Sequence, residues 1–182
     1  MTAPPRADAV ARVFFALWPG AETRRQFAQW TQALRGECGG RAMRDENLHL
    51  TLVFIGNLAA GRLDALEAAA AGIACAPFLL EFERPAFWRR NRIVCAEPVA
   101  VPPALAELVA GLEAALAQAG VGFDRRPYVP HTTLLRNAHR GPAEFSGASI
   151  RWQVDGFALL CSQPEAGGVR YWPLASWPGQ AR

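Results

Sequence analysis

Two segments of the chain resemble each other, and both are predicted to be β-strands. NLHLTLVF at Asn47–Phe54 and PHTTLLR at Pro130–Arg136 each contain the pattern His-x-Thr-Leu. The two histidines lie almost half of the 182-residue chain apart. This spacing predicts two lobes of similar design, each of which contributes one strand to a shared cleft.

Apolar runs and helical repeats alternate along the rest of the chain. Short apolar or alternating runs predict strands at 13–18, 48–55, 78–82, 92–96, 131–135, 152–161 and 169–174. Apolar residues at three- to four-residue spacing predict helices at 21–34, 60–74 and 103–119. Residues 1–11 are predicted to be a loose tail, and SQPEAGG at 162–168 a turn. Because no linker separates independent domains, 1–182 is predicted to be one two-lobed domain of mixed α/β or α+β class.

Composition excludes several classes of protein. The chain is 51% hydrophobic and 19% charged, which suits a packed core and excludes a mainly disordered chain. All nineteen basic residues are Arg, so no Schiff-base lysine, lysine-dependent P-loop or covalent nucleotidyl-lysine chemistry is available. A net charge of +3 permits an anionic substrate without requiring one. No apolar stretch has transmembrane length and the N-terminus lacks signal-peptide order, so we expect a soluble, intracellular protein.

The four cysteines have neither CxxC nor zinc-finger spacing, so we expect free thiols in or near the core.

The two His-x-Thr segments suit phosphodiester chemistry. Side chains alternate between the faces of a strand, so His49 points the same way as Thr51, and His131 the same way as Thr133. One imidazole can act as a base while the other acts as an acid near neutral pH, and the hydroxyls can donate hydrogen bonds to phosphate oxygens. A lone histidine in an apolar strand is most often structural. Two matched copies in a chain with three histidines favour a paired, metal-free site.

The chain resembles the two-histidine phosphoesterase superfamily, defined by two His-x-Thr-x motifs, and within it the bacterial RNA 2′,3′-cyclic phosphodiesterases, long called 2′-5′ RNA ligases. The resemblance covers almost the whole chain and lies in RVFFALWP, NLHLTLVFIGNL, RPYVPHTTLLRNA and VDGFALLCSQPEAGGVRYWPLASW. It implies an α+β fold of two similar lobes. Each lobe is an antiparallel sheet with helices on the outside, and the lobes face each other across a central groove.

The resemblance also implies roles for the motif residues. His49 becomes the proton donor, His131 the general base, Thr51 and Thr133 phosphate ligands, and Arg136 a phosphate-contacting residue. Water would open a terminal RNA 2′,3′-cyclic phosphate to a 2′-phosphate, without a cofactor. A 5′-hydroxyl that attacks the same cyclic phosphate in place of water would join RNA through a 2′-5′ linkage. Because Arg136 lies at an odd offset from His131, the strand must end or bend near it.

Further candidate residues surround the motifs. Phe15 or Tyr128 could stack on the terminal base, and core packing is an equal alternative for Phe15. The side chains of Phe14 and Phe15 point to opposite faces of the predicted strand, so only one of them should reach the groove. The aromatic and basic segment 88–92 could contact RNA backbone, although a solvated turn is the more common fate of such loops. We expect His139 at the surface.

Three other functions remain open from the sequence. The first is a 2′-5′ phosphodiesterase or a small cyclic nucleotide hydrolase that uses the same four residues. The second is an RNA-end-binding protein without turnover. The third is a metallohydrolase, which the absence of clustered carboxylates or histidines at ligand spacing disfavours. We expect a cytoplasmic monomer that acts on RNA ends or small cyclic nucleotides, with no membrane association and no obligate protein partner.

Overall fold

The structure is a computed structural model, and it describes residues 10–166 and 168–179. The helices are α1 (Ala21–Cys38), α2 (Leu63–Ala71) and α3 (Pro103–Gln118), with short 3₁₀ helices at Asp45–Asn47 and Ala60–Arg62. The strands are β1 (Val10–Leu17), β2 (Arg41–Ala42), β3 (Leu50–Ala59), β4 (Phe78–Phe82), β5 (Pro85–Trp88), β6 (Ile93–Ala96), β7 (Thr132–Arg136), β8 (Ile150–Val154), β9 (Gly156–Glu165) and β10 (Gly168–Pro178).

One antiparallel sheet carries both His-x-Thr segments. Its strands lie in the order β10-β9-β1-β3-β7-β6-β5, and β2 also pairs with β7. The motif strands β3 and β7 meet in the middle through a single pair, Leu50 opposite Thr132. Strands β4 and β8 form a separate two-stranded sheet. The predicted α+β class with antiparallel sheets is therefore confirmed. The pair of motif strands divides the large sheet into a half with β1, β9 and β10 and a half with β5 and β6.

The helices join the two halves. Helix α1 follows β1 in the chain and packs against β7 and β8, whereas α3 precedes β7 and packs against β3. The residues between His and Thr in the two motifs are both buried: Leu50 belongs to the main hydrophobic cluster of the core, and Thr132 is a fully buried polar residue. The residues between the catalytic candidates thus anchor each motif in the core.

The buried faces of the helices follow the predicted periodicity. In α3, Leu105, Leu108, Leu112 and Leu116 are buried, as the spacing predicts. In α1 the buried face continues to Cys38, so the prediction that the helix ends at 34 is wrong. The helix ends instead at Gly39, whose φ of 67° lies in the left-handed region that glycine adopts at little cost.

Several predicted element boundaries need correction. The predicted tail overlaps β1 at Val10 and Ala11, and residues 1–9 lie outside the described residues. Strand β3 continues through Gly56, where φ is 87°, because an irregularity in its pairing with β1 absorbs the glycine within the strand. The helix predicted at 60–74 is a 3₁₀ turn followed by α2, which ends at Ala71. Strand β5 was not predicted.

The strand predicted at 152–161 is two strands. Strand β8 belongs to the small sheet and β9 to the large one, with Asp155 between them. Strand β9 continues to Glu165, so most of the predicted turn at 162–168 is strand. An apolar run that changes sheet looks like one strand in the sequence, because both parts have buried side chains.

All four cysteines are free and buried, as expected. Within the described ranges, no helix is both long enough and apolar enough to cross a membrane.

Candidate active site

Both motif strands contain a β-bulge at the third residue after the histidine. Against β1, β3 skips Leu52, and against β6, β7 skips Leu134. The extra residue breaks the alternation of faces, so two consecutive residues face the core in each strand, 52–53 and 134–135. The fifth residue after each histidine then returns to the same side as the threonine. These residues are Phe54 and Arg136, and the bend predicted near Arg136 is confirmed.

Each motif histidine is held by the backbone carbonyl two residues before it. The Nδ1 atom of His49 lies 2.6 Å from the Asn47 oxygen, and that of His131 lies 2.8 Å from the Val129 oxygen. A carbonyl oxygen can only accept, so Nδ1 carries the proton and donates it in both hydrogen bonds. Nε2 is therefore the ring nitrogen that is left to accept or donate a proton toward a bound ligand.

The predicted site residues line two adjoining pockets that share Thr51, Phe54 and Arg136. The first pocket, of about 870 Å³, contains His49. The second, of about 620 Å³, contains His131, Thr133 and Tyr128. Because three residues belong to both pockets, the pockets form one groove with a histidine on each side of the shared residues. The structure thus brings together both predicted histidines, both threonines and Arg136.

His49 is enclosed by aromatic rings. The rings of Phe14 and Tyr171 each lie 5.0 Å from its imidazole, and that of Trp18 lies 6.4 Å away, between ring centroids. Burial lowers the pKa of His49 to about 4, against the opposing effect of the Asn47 hydrogen bond. The positive charges of Arg136 and His131 act in the same direction as burial and are included in this value.

His131 has a more polar environment. Its imidazole lies 4.3 Å from the ring of Trp88, whose indole nitrogen donates to the Glu97 carboxylate. Burial lowers the pKa of His131, whereas the Val129 hydrogen bond and the charge of Glu97 raise it, and Arg136 lowers it. The two histidines are therefore anchored in the same way, each by the carbonyl two residues before it, but they differ in their electrostatic surroundings.

The prediction that Phe15 could stack on the terminal base is wrong. Phe15 is fully buried and packs against Phe157 and Trp177, with centroid distances of 6.1 and 5.8 Å. Its neighbour Phe14 points to the opposite side of β1 and contacts His49. The prediction that only one of the two phenylalanines reaches the groove is confirmed. The choice between them failed because the sheet has apolar residues on both sides at this point.

Tyr128 does line the second pocket, so base stacking there remains a prediction. Its hydroxyl is buried, with no hydrogen-bond partner among the residues the structure describes, and burial raises the pKa of this phenol.

In the segment 88–92, Trp88 contacts His131, while residues 89–92 form an exposed turn. His139 is exposed, as expected.

Sequence reasoning missed two residues that shape the site. Phe54 occupies the same position after its histidine as Arg136 does, so comparison of the two segments would have found it. Asn47 is buried and its side chain fastens β10: Nδ2 donates to the Val169 oxygen at 2.6 Å, and Oδ1 accepts from the Tyr171 N–H at 3.0 Å. No sequence pattern indicates that bridge, because β10 lies far along the chain.

The model of the LigT-like phosphoesterase family matches residues 17–95 and 97–171. The chain therefore belongs to the LigT-like phosphoesterase family.

Particular relatives are similar over most of the chain. The RNA 2′,3′-cyclic phosphodiesterase of Escherichia coli (strain K12) is 34% identical over 167 residues, which are 91% of this chain and 95% of that protein. The RNA 2′,3′-cyclic phosphodiesterase of Geobacillus stearothermophilus is 32% identical over 135 residues, which are 68% of this chain and 40% of that protein. The crystal structure of E. coli LigT complexed with 3′-AMP matches with a TM-score of 0.84 and 32% identity, covering 95% of this chain and 100% of that one.

Proposed function

We propose that this chain hydrolyses the terminal 2′,3′-cyclic phosphate of RNA to a 2′-phosphomonoester. The observation that carries the proposal is the paired arrangement of two imidazoles, each anchored through Nδ1, on either side of a shared centre. Thr51, Thr133 and Arg136 line that groove and suit the oxygens of a phosphate. The two relatives named as RNA 2′,3′-cyclic phosphodiesterases support the same substrate.

In the proposed reaction the phosphorus lies between the two histidines. His131 removes a proton from a water molecule, whose oxygen attacks the phosphorus in line with the 3′ oxygen. The bond from phosphorus to the 3′ oxygen breaks, and His49 protonates that oxygen as it leaves. The bond to the 2′ oxygen remains, so the product carries a 2′-phosphate and a free 3′-hydroxyl.

Packing and exposure to solvent, rather than the pKa values in the absence of ligand, support this division of roles. His49 lies among aromatic rings, where a nucleoside carrying the departing oxygen can pack. His131 is less deeply buried, which suits the histidine that meets water. General acid or base catalysis by one group contributes about 10²- to 10⁴-fold to a rate. The bound phosphate anion favours the charged imidazole and so opposes the lowering of both pKa values by burial.

Arg136 and the threonines act on the phosphate itself. The guanidinium can form paired hydrogen bonds to two phosphate oxygens, and the hydroxyls of Thr51 and Thr133 can donate to the others. These bonds strengthen as negative charge moves onto the oxygens in the transition state. With a 5′-hydroxyl in place of water as the nucleophile, the same steps open the cyclic phosphate: the 5′ oxygen bonds to phosphorus, the 3′ oxygen leaves with the proton from His49, and the RNA is joined through a 2′-5′ bond.

The experiment is hydrolysis of a short RNA that ends in a 2′,3′-cyclic phosphate, with a metal chelator present. We expect the wild type to form a 2′-phosphate, and His49→Ala and His131→Ala each to lose at least about 10³-fold in kcat. His139→Ala, which removes the exposed third histidine, is the matched control and should retain full activity.

Other outcomes would contradict the proposal. Turnover that survives His49→Ala or His131→Ala would contradict the assignment of the site. Loss of activity in chelator would favour a metallohydrolase. No turnover by the wild type would favour a 2′-5′ linkage, a small cyclic nucleotide or a binding role.

We also propose that the protein acts as a monomer in the cytoplasm. All of the residues in the proposed mechanism come from one chain, and four free, buried cysteines suit a reducing compartment. Sedimentation of the purified protein at working concentration would test the oligomeric state.

A further inference from the structure

The two pockets of the groove differ in charge. The second pocket mixes charges: it contains Glu113 and Asp124 as well as Arg126 and Arg136. Arg126 is already paired with the Asp124 carboxylate, at 2.8 Å from its Nε. The first pocket has no acidic residue among its described lining residues, and its basic residues are Arg12, Arg41, Arg44 and Arg136.

Three of the arginines in the first pocket have no acidic partner in the part of the chain that the structure describes. Within residues 10–166 and 168–179, no ion pair joins Arg12, Arg41 or Arg136 to a carboxylate. Arg44, in contrast, lies 2.9 Å from Glu165. Arg136 alone can balance the single negative charge of the proposed cyclic phosphate. Arg12 and Arg41 are therefore positive charges in the first pocket beyond those that this phosphate needs.

Two of these arginines lie directly opposite each other. Strands β2 and β7 pair with Arg41 across from Arg136. Like charges at opposite positions of an antiparallel pair destabilise it. Among the described residues, no carboxylate is paired with either Arg41 or Arg136. Two facing arginines without a carboxylate are the arrangement expected of a surface that binds an anion.

Arg12 extends the basic surface along β1. It lies two residues before Phe14 on the same side of the strand, about 7 Å farther along. Its guanidinium lies over the ring of Phe54, 5.0 Å from the centroid. The side chain is thus held beside the groove, beyond the residues that would contact the reacting phosphate.

The volume of the first pocket, about 870 Å³, is near the upper end for ligand sites. Such a space accommodates more than the terminal nucleotide. Internucleotide phosphates are the anions that a longer RNA substrate would place there, and arginine contacts to phosphates position a nucleic acid without reading its sequence.

We propose that Arg12 and Arg41 bind the phosphates upstream of the terminal nucleotide, so that the RNA leaves the groove through the first pocket, past His49. The inference rests on the proposed function and makes RNA oligonucleotides, rather than cyclic mononucleotides, the preferred substrates. The second pocket, on the His131 side, then remains open for water.

The test compares kcat/KM for uridine substrates that all end in a 2′,3′-cyclic phosphate: a mononucleotide, a dinucleotide and a tetranucleotide. In low salt, we expect the wild type to favour the tetranucleotide over the mononucleotide at least tenfold. Arg12→Gln and Arg41→Gln should each lower that ratio about three- to tenfold. Each should also lower the salt dependence of tetranucleotide binding, by about 0.7 in the slope of log K against log salt concentration.

Two variants are the matched controls. Arg126→Gln alters the second pocket, and Arg89→Gln alters the exposed turn after β5. Both should keep the wild-type ratio. Thermal unfolding shows whether the variants fold, and Arg41→Gln should unfold at an equal or higher temperature because it removes a like-charge pair.

The outcomes separate this inference from the proposed function. Hydrolysis of all three substrates with equal kcat/KM overturns the inference and leaves the proposed function intact. A ratio that falls in Arg126→Gln and not in Arg12→Gln or Arg41→Gln also overturns it, since the RNA would then leave through the second pocket. No hydrolysis of any substrate by folded wild type overturns both.

Discussion

The half of the groove around His49 and the half around His131 have the same backbone geometry. In each, Nδ1 of the histidine donates to the carbonyl two residues earlier, and a bulge follows at the third residue after the histidine. The residues between His and Thr, Leu50 and Thr132, pair with each other in the core. The backbone therefore produces two equivalent positions, and the surroundings must supply any difference between acid and base.

The surroundings do differ. The fifth residue after the histidine is Phe54 in one half and Arg136 in the other. The carbonyl that anchors His49 belongs to a buried residue, Asn47, whose side chain is bonded to β10, whereas Val129 is exposed. The comparison teaches that equivalent backbone positions can hold side chains of different chemistry. We expect a matching division of tasks, in which the aromatic rings around His49 pack on the substrate and Arg136 contacts the reacting phosphate.

Among the variants that probe the differences between the two halves, the largest effect is expected from removing the charge at the fifth position after the histidine. Arg136→Gln should lower kcat about 10²-fold, because it removes a charged donor to the phosphate in the transition state. Phe54→Leu, at the equivalent position, should change kcat less than threefold and act mainly on KM. Steady-state kinetics with a cyclic-phosphate RNA measures both. Equal losses of kcat in the two variants would contradict the division of tasks.

The pH dependence should reflect the lowered pKa values of both histidines. Activity needs one charged and one neutral imidazole. Because the pKa values of both histidines are lowered, each imidazole loses its charge at a pH below 6.5, the ordinary pKa of histidine being about 6.5. We expect kcat/KM to be greatest below pH 6.5 and to fall as the pH rises to 8. Arg136→Gln should move this profile to higher pH, because the charge of Arg136 lowers both pKa values. A wild-type optimum above pH 7.5 would contradict this expectation.

A smaller effect should separate the two histidine anchors. Asn47→Ala removes the link from the loop before His49 to β10, and we expect about tenfold lower kcat with little change in KM, since misplacement of a catalytic group costs rate. Val129→Ala changes an exposed side chain and should cost less than twofold. A positioning role also predicts an altered pH profile in Asn47→Ala. Loss of thermal stability alone, with unchanged kcat and pH profile, would indicate a purely structural role.

The smallest effect concerns Thr132. Its hydroxyl is buried and has no hydrogen-bond partner among the described residues, where the other motif has Leu50. Thr132→Val should raise the free energy of unfolding by about 1 kcal/mol, because it removes an unsatisfied polar group. Urea unfolding measures this change. Thr133→Val, one residue later, should instead lower kcat with little gain in stability, and a destabilised Thr132→Val variant would mean that the hydroxyl has a partner.

The sequence predicted the parts of the site that depend on local alternation. His49 with Thr51, and His131 with Thr133, lie before the bulges, where the two-residue period of a strand still holds. The positions of Phe54 and Arg136 depend on bulges that pairing with β1 and β6 produces, so only Arg136 was expected, from the family resemblance. The bridge from Asn47 to β10 also joins segments far apart in sequence.

The choice of Phe15 failed for a different reason. Strand β1 is apolar on both sides: Phe15 packs in the main core, and Phe14 joins Ala16, Ala158 and Leu160 on the groove side. Alternation shows that two residues face opposite ways, but it identifies the buried side only when the other side is polar. The same limit applied to the run at 152–161, which continues as apolar residues from one sheet into the other.

The most direct test of the two roles is an RNA whose terminal cyclic phosphate has sulfur in place of the bridging 3′ oxygen. A thiolate leaves without a proton, because a thiol ionises at a pKa of about 8.5, well below an alcohol. If His49 is the proton donor, His49→Ala should recover most of its lost rate with the sulfur substrate, and His131→Ala should recover none. Recovery by His131→Ala, or by neither variant, would contradict the assignment of His49 as acid and His131 as base.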